Sequence, residues 1–589
     1  MKKLLIYLKD YKKEICLAPL FKLLEVVFEL LVPLVIAKVI DVGIAHSDGP
    51  YIVRKCLLLV GLGIFGLTAS ITAQYYASRA SAGFAKQLKR ALFAHIQSLS
   101  FSELDTLGTS TMITRMTSDM NQVQSGMNLA LRLLLRSPIV VFGAMIMAFT
   151  VDVRSAMVFV VTIPLLFAVV LALLLLCIPL YQKVQSALDR VLGSVRENLV
   201  GARVIRAFCR EDDEIASFKE RHGLLTRLQL RAGNLSALMN PLTYVMINLA
   251  ILFLIRRGAI QVNAGWLTQG EVVALYNYMS QILVELIKFA NLIITLTKSA
   301  ACGNRIQAVF EIQSTLTSPA EPKKPSVSEF AVEFRNAGLR YRGTGSNALT
   351  GLSLSVRRGT TIGIIGGTGS GKSSVVQLIP RFYDVTEGAV LVDGLDVRAY
   401  ALTALRKKIG YVPQKAALFQ GTVRDNLRWG NPDAADSSLW DALSIAQAKE
   451  MVESKEGLGT LLEQGGRNLS GGQAQRLTIA RALVRQPEIL ILDDSSSALD
   501  FATDAALRKA IRTIPNAPTV FLISQRTSSI RYADQILVLD DGTVAGIGAH
   551  DELLNSCQVY REICESQNRK EGAVDEQQTQ AAKTGSEHA

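Results

Sequence analysis

A chain of 589 residues is too long for one ordinary domain, and 49% hydrophobic against 19% charged residues is too apolar for a wholly soluble one. The net charge of +12 does not point to nucleic acid, because many Lys and Arg residues flank apolar runs, where they act as topology signals. The seven cysteines (16, 56, 177, 209, 302, 557 and 564) are scattered, odd in number and without a CxxC pair, which argues against a disulfide framework or zinc cluster and fits a reducing compartment.

Residues 1–13 are basic, but the run that follows is too long for a secretory signal and has no small-residue cleavage site. Apolar runs at 15–40, 57–77, 133–151, 156–180, 238–255 and 272–296 approach or exceed the roughly 20 residues that a membrane-spanning helix needs. The short connections near 46–54, 151–154 and 256–270 hold few basic residues. The long ones near 78–132 and 181–231 hold many, among them Lys86, Lys89, Arg90, Arg190, Arg196, Arg203, Arg206 and Arg210. This asymmetry places both termini and the long connections in the cytosol. With few Gly or Pro and apolar residues at helical spacing, the long connections are expected to continue the spanning helices far beyond the membrane.

Residues 1–310 thus form a membrane domain with cytosolic helical extensions, and 311–328 form a Pro- and Ser-containing linker. From 329 to 567 the pattern changes to short β runs and helices. Apolar runs at 361–365, 389–392 and 488–492 have the length and continuity of buried strands in an α/β domain. The polar stretch 568–589 is expected to be a disordered tail.

The run 361–365 leads into Gly366-Gly367-Thr368-Gly369-Ser370-Gly371-Lys372-Ser373 and then a helical segment from Ser374. Strand, glycine loop, helix is the arrangement in which backbone N–H groups close around phosphate oxygens. Lys372 then reaches the β- and γ-phosphates, and the Ser373 hydroxyl ligates Mg²⁺. Asp493, ending a later apolar strand, is the matching carboxylate on the metal side.

A phosphate loop alone says only NTPase. Leu469-Ser470-Gly471-Gly472-Gln473 narrows it: here the sequence resembles the ATP-binding cassette (ABC) transporter family over nearly its whole length. The resemblance implies Tyr341 as the adenine-stacking aromatic, Val412-Pro413-Gln414 as the Q-loop with Gln414 beside the metal, and Ser497-Ala498-Leu499-Asp500 as the D-loop. It implies an α-helical membrane domain of six long transmembrane helices, followed by an α/β P-loop ATP-binding cassette, in a half-transporter of the exporter type that uses ATP and Mg²⁺. Cassettes of this family pair head-to-tail, so Ser470, Gly471, Gly472 and Gln473 would contact the partner's ATP. Residues 100–108 and 211–222 match where the family places short coupling helices.

Two positions depart from the family pattern. Asp494 stands where the family has Glu, one methylene shorter, and Gln525 stands where it has His, so it cannot act as an acid, base or cation near neutral pH. The pair resembles the degenerate half of bacterial heterodimeric multidrug exporters. It implies a second half-transporter as partner, an inner-membrane location with the cassette cytosolic, and amphipathic drugs or lipids as cargo. The alternatives are a homodimeric lipid flippase and an ATP-gated regulatory membrane protein that does not pump.

Charges within spans are functional candidates because lipid disfavours them. Glu25 and Glu29, with Lys22, share a face of the first span; Glu285 and Lys288 share a face of the last. They can contact cargo, or pair with each other or with cavity water. Asp41, at the outer end of the first span, is a candidate gate residue, and Arg132 and Arg136 are expected to snorkel to the inner interface.

Overall fold

The computed structural model describes residues 2–567 apart from 320, 324, 326–327, 343–344 and 516, so the expected tail lies outside the described residues. The chain divides into two compact units, Met1–Gln97 with Thr109–Ile312 and Ser98–Gly108 with Gln313–Ala589.

The first unit is helical. Helix α1 (Lys12–Lys38) ends in a π-helical turn, Val39–Ile44, and α2 (Gly49–Ser98) follows. After α3 (Phe101–Leu107), which belongs to the second unit, come α4 (Thr109–Thr114), a π-helical stretch Arg115–Asp119, α5 (Met120–Leu133) and α6 (Arg136–Val151). Then follow α7 (Val153–Val200), α8 (Ala202–Ala207), α9 (Glu211–Ala237), α10 (Met239–Asn263) and α11 (Gln269–Glu311). Among the described residues, five stretches are long and apolar enough to cross a membrane: Gly49–Ser98, Thr109–Val151, Val153–Val200, Glu211–Asn263 and Gln269–Glu311. With α1, whose apolar run is interrupted by Lys22, Glu25 and Glu29, they make the six expected helices. At 1.5 Å per residue the 50 residues of α2 measure about 75 Å, more than twice a hydrocarbon core of about 30 Å. The long connections therefore continue the helices, as expected. Val26, Val140, Phe159, Ile247 and Tyr278 anchor a buried core, while Leu57, Phe65, Val161, Leu252 and Phe253 form outward apolar surface suited to lipid.

The second coupling helix requires correction. Residues 211–222 are the opening turns of the long helix α9, and the short helix is α8. Cys209 at φ 52 breaks the chain between them, and Glu211, Asp212, Asp213 and Glu214 then fill a first turn, where the helix dipole favours negative charge.

In the second unit, β1 (Phe330–Leu339), β2 (Leu349–Arg357), β4 (Glu387–Val392) and β5 (Leu395–Asp396) form an antiparallel sheet in the order β2-β1-β4-β5. A six-stranded sheet runs β12-β11-β3-β10-β9-β6, built from β3 (Thr361–Gly366), β6 (Ile409–Val412), β9 (Ile489–Asp493), β10 (Thr519–Ile523), β11 (Gln535–Asp540) and β12 (Thr543–Gly548). All its pairings are parallel except β11 with β12, and a separate antiparallel pair joins β7 (Gly421–Thr422) to β8 (Leu461–Leu462). Strands β9 and β10 of the six-stranded sheet are wholly buried and β3 nearly so, while edge strand β12 has no buried residue; the expected strands at 361–365, 389–392 and 488–492 are β3, β4 and β9.

Candidate nucleotide site

Because β3, β10, β9 and β6 are parallel neighbours, their carboxyl ends deliver four loops to one edge of the sheet, the usual ligand edge of such sheets. These are the phosphate loop, Ser524-Gln525, Asp493-Asp494 and Pro413-Gln414.

The loop from Gly366 to Gly371 leads into α12 (Lys372–Leu378). Gly369 and Gly371 have φ of 86 and 90, which only glycine adopts without strain, and a Cβ on Gly371 would lie 2.6 Å from Ala348 O. A Cβ on Gly367 or Gly369 would meet nothing within 4 Å, so this side of the loop is open. Lys372 is buried and donates through Nζ to Gly366 O (2.9 Å) and Gly367 O (2.5 Å). Burial holds its pKa below the usual lysine value against the pull of Asp494 and Asp493. Ser370 is buried within the loop, with its N–H directed at Gly367 O, and Ser374 is buried on α12.

Ser373 Oγ donates to Asp493 Oδ1 across 2.8 Å. Tyr411, which sequence reading missed, donates to Asp493 Oδ2 across 3.1 Å; it lies on β6 three residues before Gln414. Gln414 donates through Nε2 to Asp494 Oδ2 across 3.3 Å, leaving its own carbonyl oxygen available. Asp494 has φ 47, a left-handed conformation that Asp tolerates better than most residues. Burial raises the pKa of both carboxyls, and for Asp494 the neighbouring Asp493 raises it further. The open, positively charged loop fits phosphates. The oxygen set of Ser373, Asp493 and Gln414 is the kind a hard divalent cation takes.

Gln525 is exposed at the end of β10. Ser470 caps the helix Gly471–Val484: its Oγ accepts from Gln473 N (3.3 Å), and its N–H donates to Gln473 Oε1 (3.1 Å). A Cβ on Gly472 would lie 2.8 Å from Ala498 O of the D-loop segment, whereas one on Gly471 would meet open space. Among the described residues no hydrogen bond joins Ser470–Gln473 to the phosphate loop. Asp500 caps the helix Phe501–Arg512, with Oδ1 accepting from Thr503 N across 2.8 Å. Tyr341 bonds through its hydroxyl to Ser374 Oγ (2.9 Å) and meets Tyr383 edge-on at 5.0 Å.

Residues 100–108 form the expected short helix, α3, and it packs within the second unit. Glu103, 2% exposed, accepts from Ser100, from Thr315 Oγ1 (2.8 Å) and from Arg342 Nη1 (3.3 Å). Phe101 packs on Phe382 at 4.6 Å between ring centroids, and Asp105 accepts from the Tyr383 hydroxyl across 2.6 Å. A groove of about 330 Å³ is lined by Phe382, Tyr411, Phe419, Trp429 and Arg481; Phe419 and Trp429 stack at 4.5 Å, both exposed.

In the membrane unit Arg136 does not snorkel. It is buried, pairing through Nη2 with Glu29 (2.7 Å) and through Nη1 with Glu285, because two carboxylates lie within its reach. Glu285 also accepts from Ser137 (3.1 Å) and Lys288 (2.8 Å), so Glu285 and Lys288 do pair. Lys22 donates to Glu25 (2.5 Å) and Ser70 (3.2 Å). Three acids thus face three bases, and only Glu29 and Lys288 of the Arg136 group keep substantial exposure. Asp41 accepts from Thr268 Oγ1 (2.6 Å) and Gly270 N (2.7 Å), tying the end of α1 to the start of α11. Gly270 permits this approach: a Cβ there would lie 2.3 Å from Ala37 O.

A glycine-rich phosphate-type loop, a buried carboxylate bonded to its Ser373, and a capped Ser-Gly-Gly-Gln helix, on one chain with a polytopic helical unit, define a membrane-bound P-loop cassette protein. Residues 15–286 match the ABC transporter transmembrane region and 349–497 match the ABC transporter family. An uncharacterized ABC transporter ATP-binding protein of Mycobacterium tuberculosis is 37% identical over 566 residues, 95% of this chain and 97% of the relative. YgaD of Bacillus subtilis, named for multidrug export, is 32% identical over 576 residues, 96% of this chain and 99% of the relative. The structure of a bacterial Atm1-family ABC exporter with ATP bound shares the fold, with a TM-score of 0.81 at 23% identity over 94% of this chain and 99% of that one. The chain belongs to the ABC transporter family.

Proposed function

We propose that this chain is one half of a heterodimeric exporter in a bacterial inner membrane, with its cassette in the cytosol. Its phosphate loop binds ATP, with Tyr341 against the base and Lys372 and the backbone N–H groups of residues 366–374 on the phosphates. Ser373, Asp493 and Gln414 would hold Mg²⁺, which there would offset phosphate charge. The residues beside the γ-phosphate are altered: Asp494 is short and held by Gln414, and Gln525 cannot exchange a proton. Hydrolysis at this site is therefore slow. Ser470, Gly471, Gly472 and Gln473 complete the partner's site, with Asp500 and the D-loop at the shared face. The observation that carries the reading is this division on one chain, an altered catalytic side beside an unaltered signature.

Closure of the two cassettes would reach the membrane unit through α3 and through the partner's counterpart of α8, for which the Phe419–Trp429 groove is a fitting seat. The cargo is an amphipathic drug or lipid. In support, Asn277, Lys288, Asn291, Thr295 and Lys298 recur at helical spacing on α11, none of them buried, as a cavity-lining face requires. YgaD's name supports the same class. Cargo contact falls to Glu29 and Lys288, because these two stay exposed while Glu25 and Glu285 are largely buried. Asp41 serves as an outer latch between α1 and α11.

A second reading, a homodimeric lipid flippase, is favoured by the carboxylate kept at Asp494, whose raised pKa suits a base. Purification of the chain alone and with co-expressed half-transporters from the same cell, followed by ATPase assay, separates the two. The heterodimer predicts a slow lone chain and a fast mixed complex, whereas equal rates would sink it.

A further inference from the structure

The segment after β10 is gripped from two sides. From the helix Phe501–Arg512, Arg508 donates through Nη1 to Ser529 O (3.1 Å), and Asp504 Oδ2 accepts from Ser529 Oγ (3.1 Å). From the other side comes Gln567, the last described residue. Its Oε1 accepts from Thr527 N (2.8 Å) and Thr527 Oγ1 (2.9 Å), and its Nε2 donates to Gln525 O (2.7 Å).

Both ends of the amide are thus used, the acceptor on two donors and the donor on a carbonyl. Thr527 opens the helix Thr527–Ile530, whose preceding residue, Arg526, provides no side-chain cap. The first N–H groups of a helix have no partner within it, and Gln567 satisfies the first of these from 40 residues away. Gln567 lies in a helical stretch that includes 558–567 and is held by buried Tyr560 and Cys564, so the amide is presented from an anchored element.

We propose that Gln567 is a positioning residue for Gln525. By fixing the Gln525 carbonyl and the helix start at Thr527, it sets where the Gln525 side chain points in this chain's own nucleotide site. Gln525 has a flexible neutral side chain, so its aim depends on how firmly its backbone is held. The proposal rests on reading Gln525 as the residue that meets the γ-phosphate, but not on the identity of partner or cargo, nor on the rate of hydrolysis.

The test is nucleotide discrimination by the full chain in nanodiscs, with a non-hydrolysable ATP analogue and ADP each displacing a fluorescent nucleotide. Hydrogen exchange at the Thr527 amide is followed in parallel. Gln567→Ala is expected to lower the preference for the triphosphate over ADP about tenfold, the weight of one hydrogen bond to a charged group, with ADP affinity unchanged. Exchange at Thr527 should quicken. Gln567→Glu keeps the acceptor and loses the donor, so it should leave Thr527 protected yet lose the triphosphate preference. A triphosphate-to-ADP ratio within twofold of wild type in both variants overturns the proposal, as does an equal loss of affinity for both nucleotides. Should the Ala variant not fold, the Glu variant decides alone. If hydrolysis by the lone chain proves fast while these ratios move as stated, the heterodimer reading fails and this one stands.

Discussion

Gln414 Nε2 lies 3.3 Å from Asp494 Oδ2, so the Q-loop side chain is hydrogen-bonded to the shortened carboxylate. On the proposed reading, a carboxylate one methylene short and drawn to a neighbour would be poorly placed to orient water, and a misplacement of about 1 Å can cost about 100-fold in rate.

The backbone at this position sets a cost on repair. Asp494 sits at φ 47, which Asp tolerates better than Glu. Asp494→Glu is expected to lower stability by about 0.5–1 kcal/mol while raising ATPase, a split that thermal unfolding and a phosphate-release assay on the same sample would show.

Asp493 and Asp494 also make a pH prediction. Burial raises both pKa values above the ordinary 3.8, so the folded cassette holds protons there that the unfolded chain has released. Stability is then lost as pH rises from about the unfolded value through the folded ones. Asp494→Asn should raise the nucleotide-free unfolding temperature at pH 7 and leave it unchanged well below pH 3.8, where Asp494 is neutral in both the folded and the unfolded chain. Melting curves at the two pH values check this.

Arg136 bridges Glu29 and Glu285 across three helices. Arg136→Leu leaves Glu285 buried with less compensation and should cost about 3–5 kcal/mol, whereas Arg136→Leu with Glu285→Leu should recover most of it. Unfolding of the detergent-solubilised chain measures both.

Tyr383 donates to Asp105 across 2.6 Å, fastening α3 within its unit. Burial and the Asp105 carboxylate hold the phenol pKa far above neutrality, so the donor persists at physiological pH. Tyr383→Phe should weaken this attachment by about 1 kcal/mol and reduce cargo stimulation of ATPase more than nucleotide affinity. Equal stimulation in the variant would count against a coupling role.

What the sequence made legible was what it holds contiguously. The phosphate loop, the signature and the strands around them are runs whose chemistry does not depend on distant residues, and the six helices followed from apolar run length. What it hid was pairing at a distance. Arg136 meets Glu29 and Glu285 at separations of 107 and 149 residues, and against those carboxylates the rule that basic residues snorkel fails. Tyr411 and Gln567 carry no motif of their own and matter only because the fold brings Asp493 and Gln525 to them. The resemblance sets the second short helix at 211–222, whereas the chain breaks at Cys209, so the short helix is α8 and 211–222 opens the long α9.

The central claim is that the alterations at Asp494 and Gln525 silence this chain's own site while its signature remains competent. The most direct measurement is the ATPase rate of the purified chain alone, wild type against Asp494→Glu with Gln525→His. Two copies of the double variant would supply both a repaired site and an intact signature, and the account predicts a rise of about 10- to 100-fold. A wild-type chain that already turns over as fast as the double variant would contradict it.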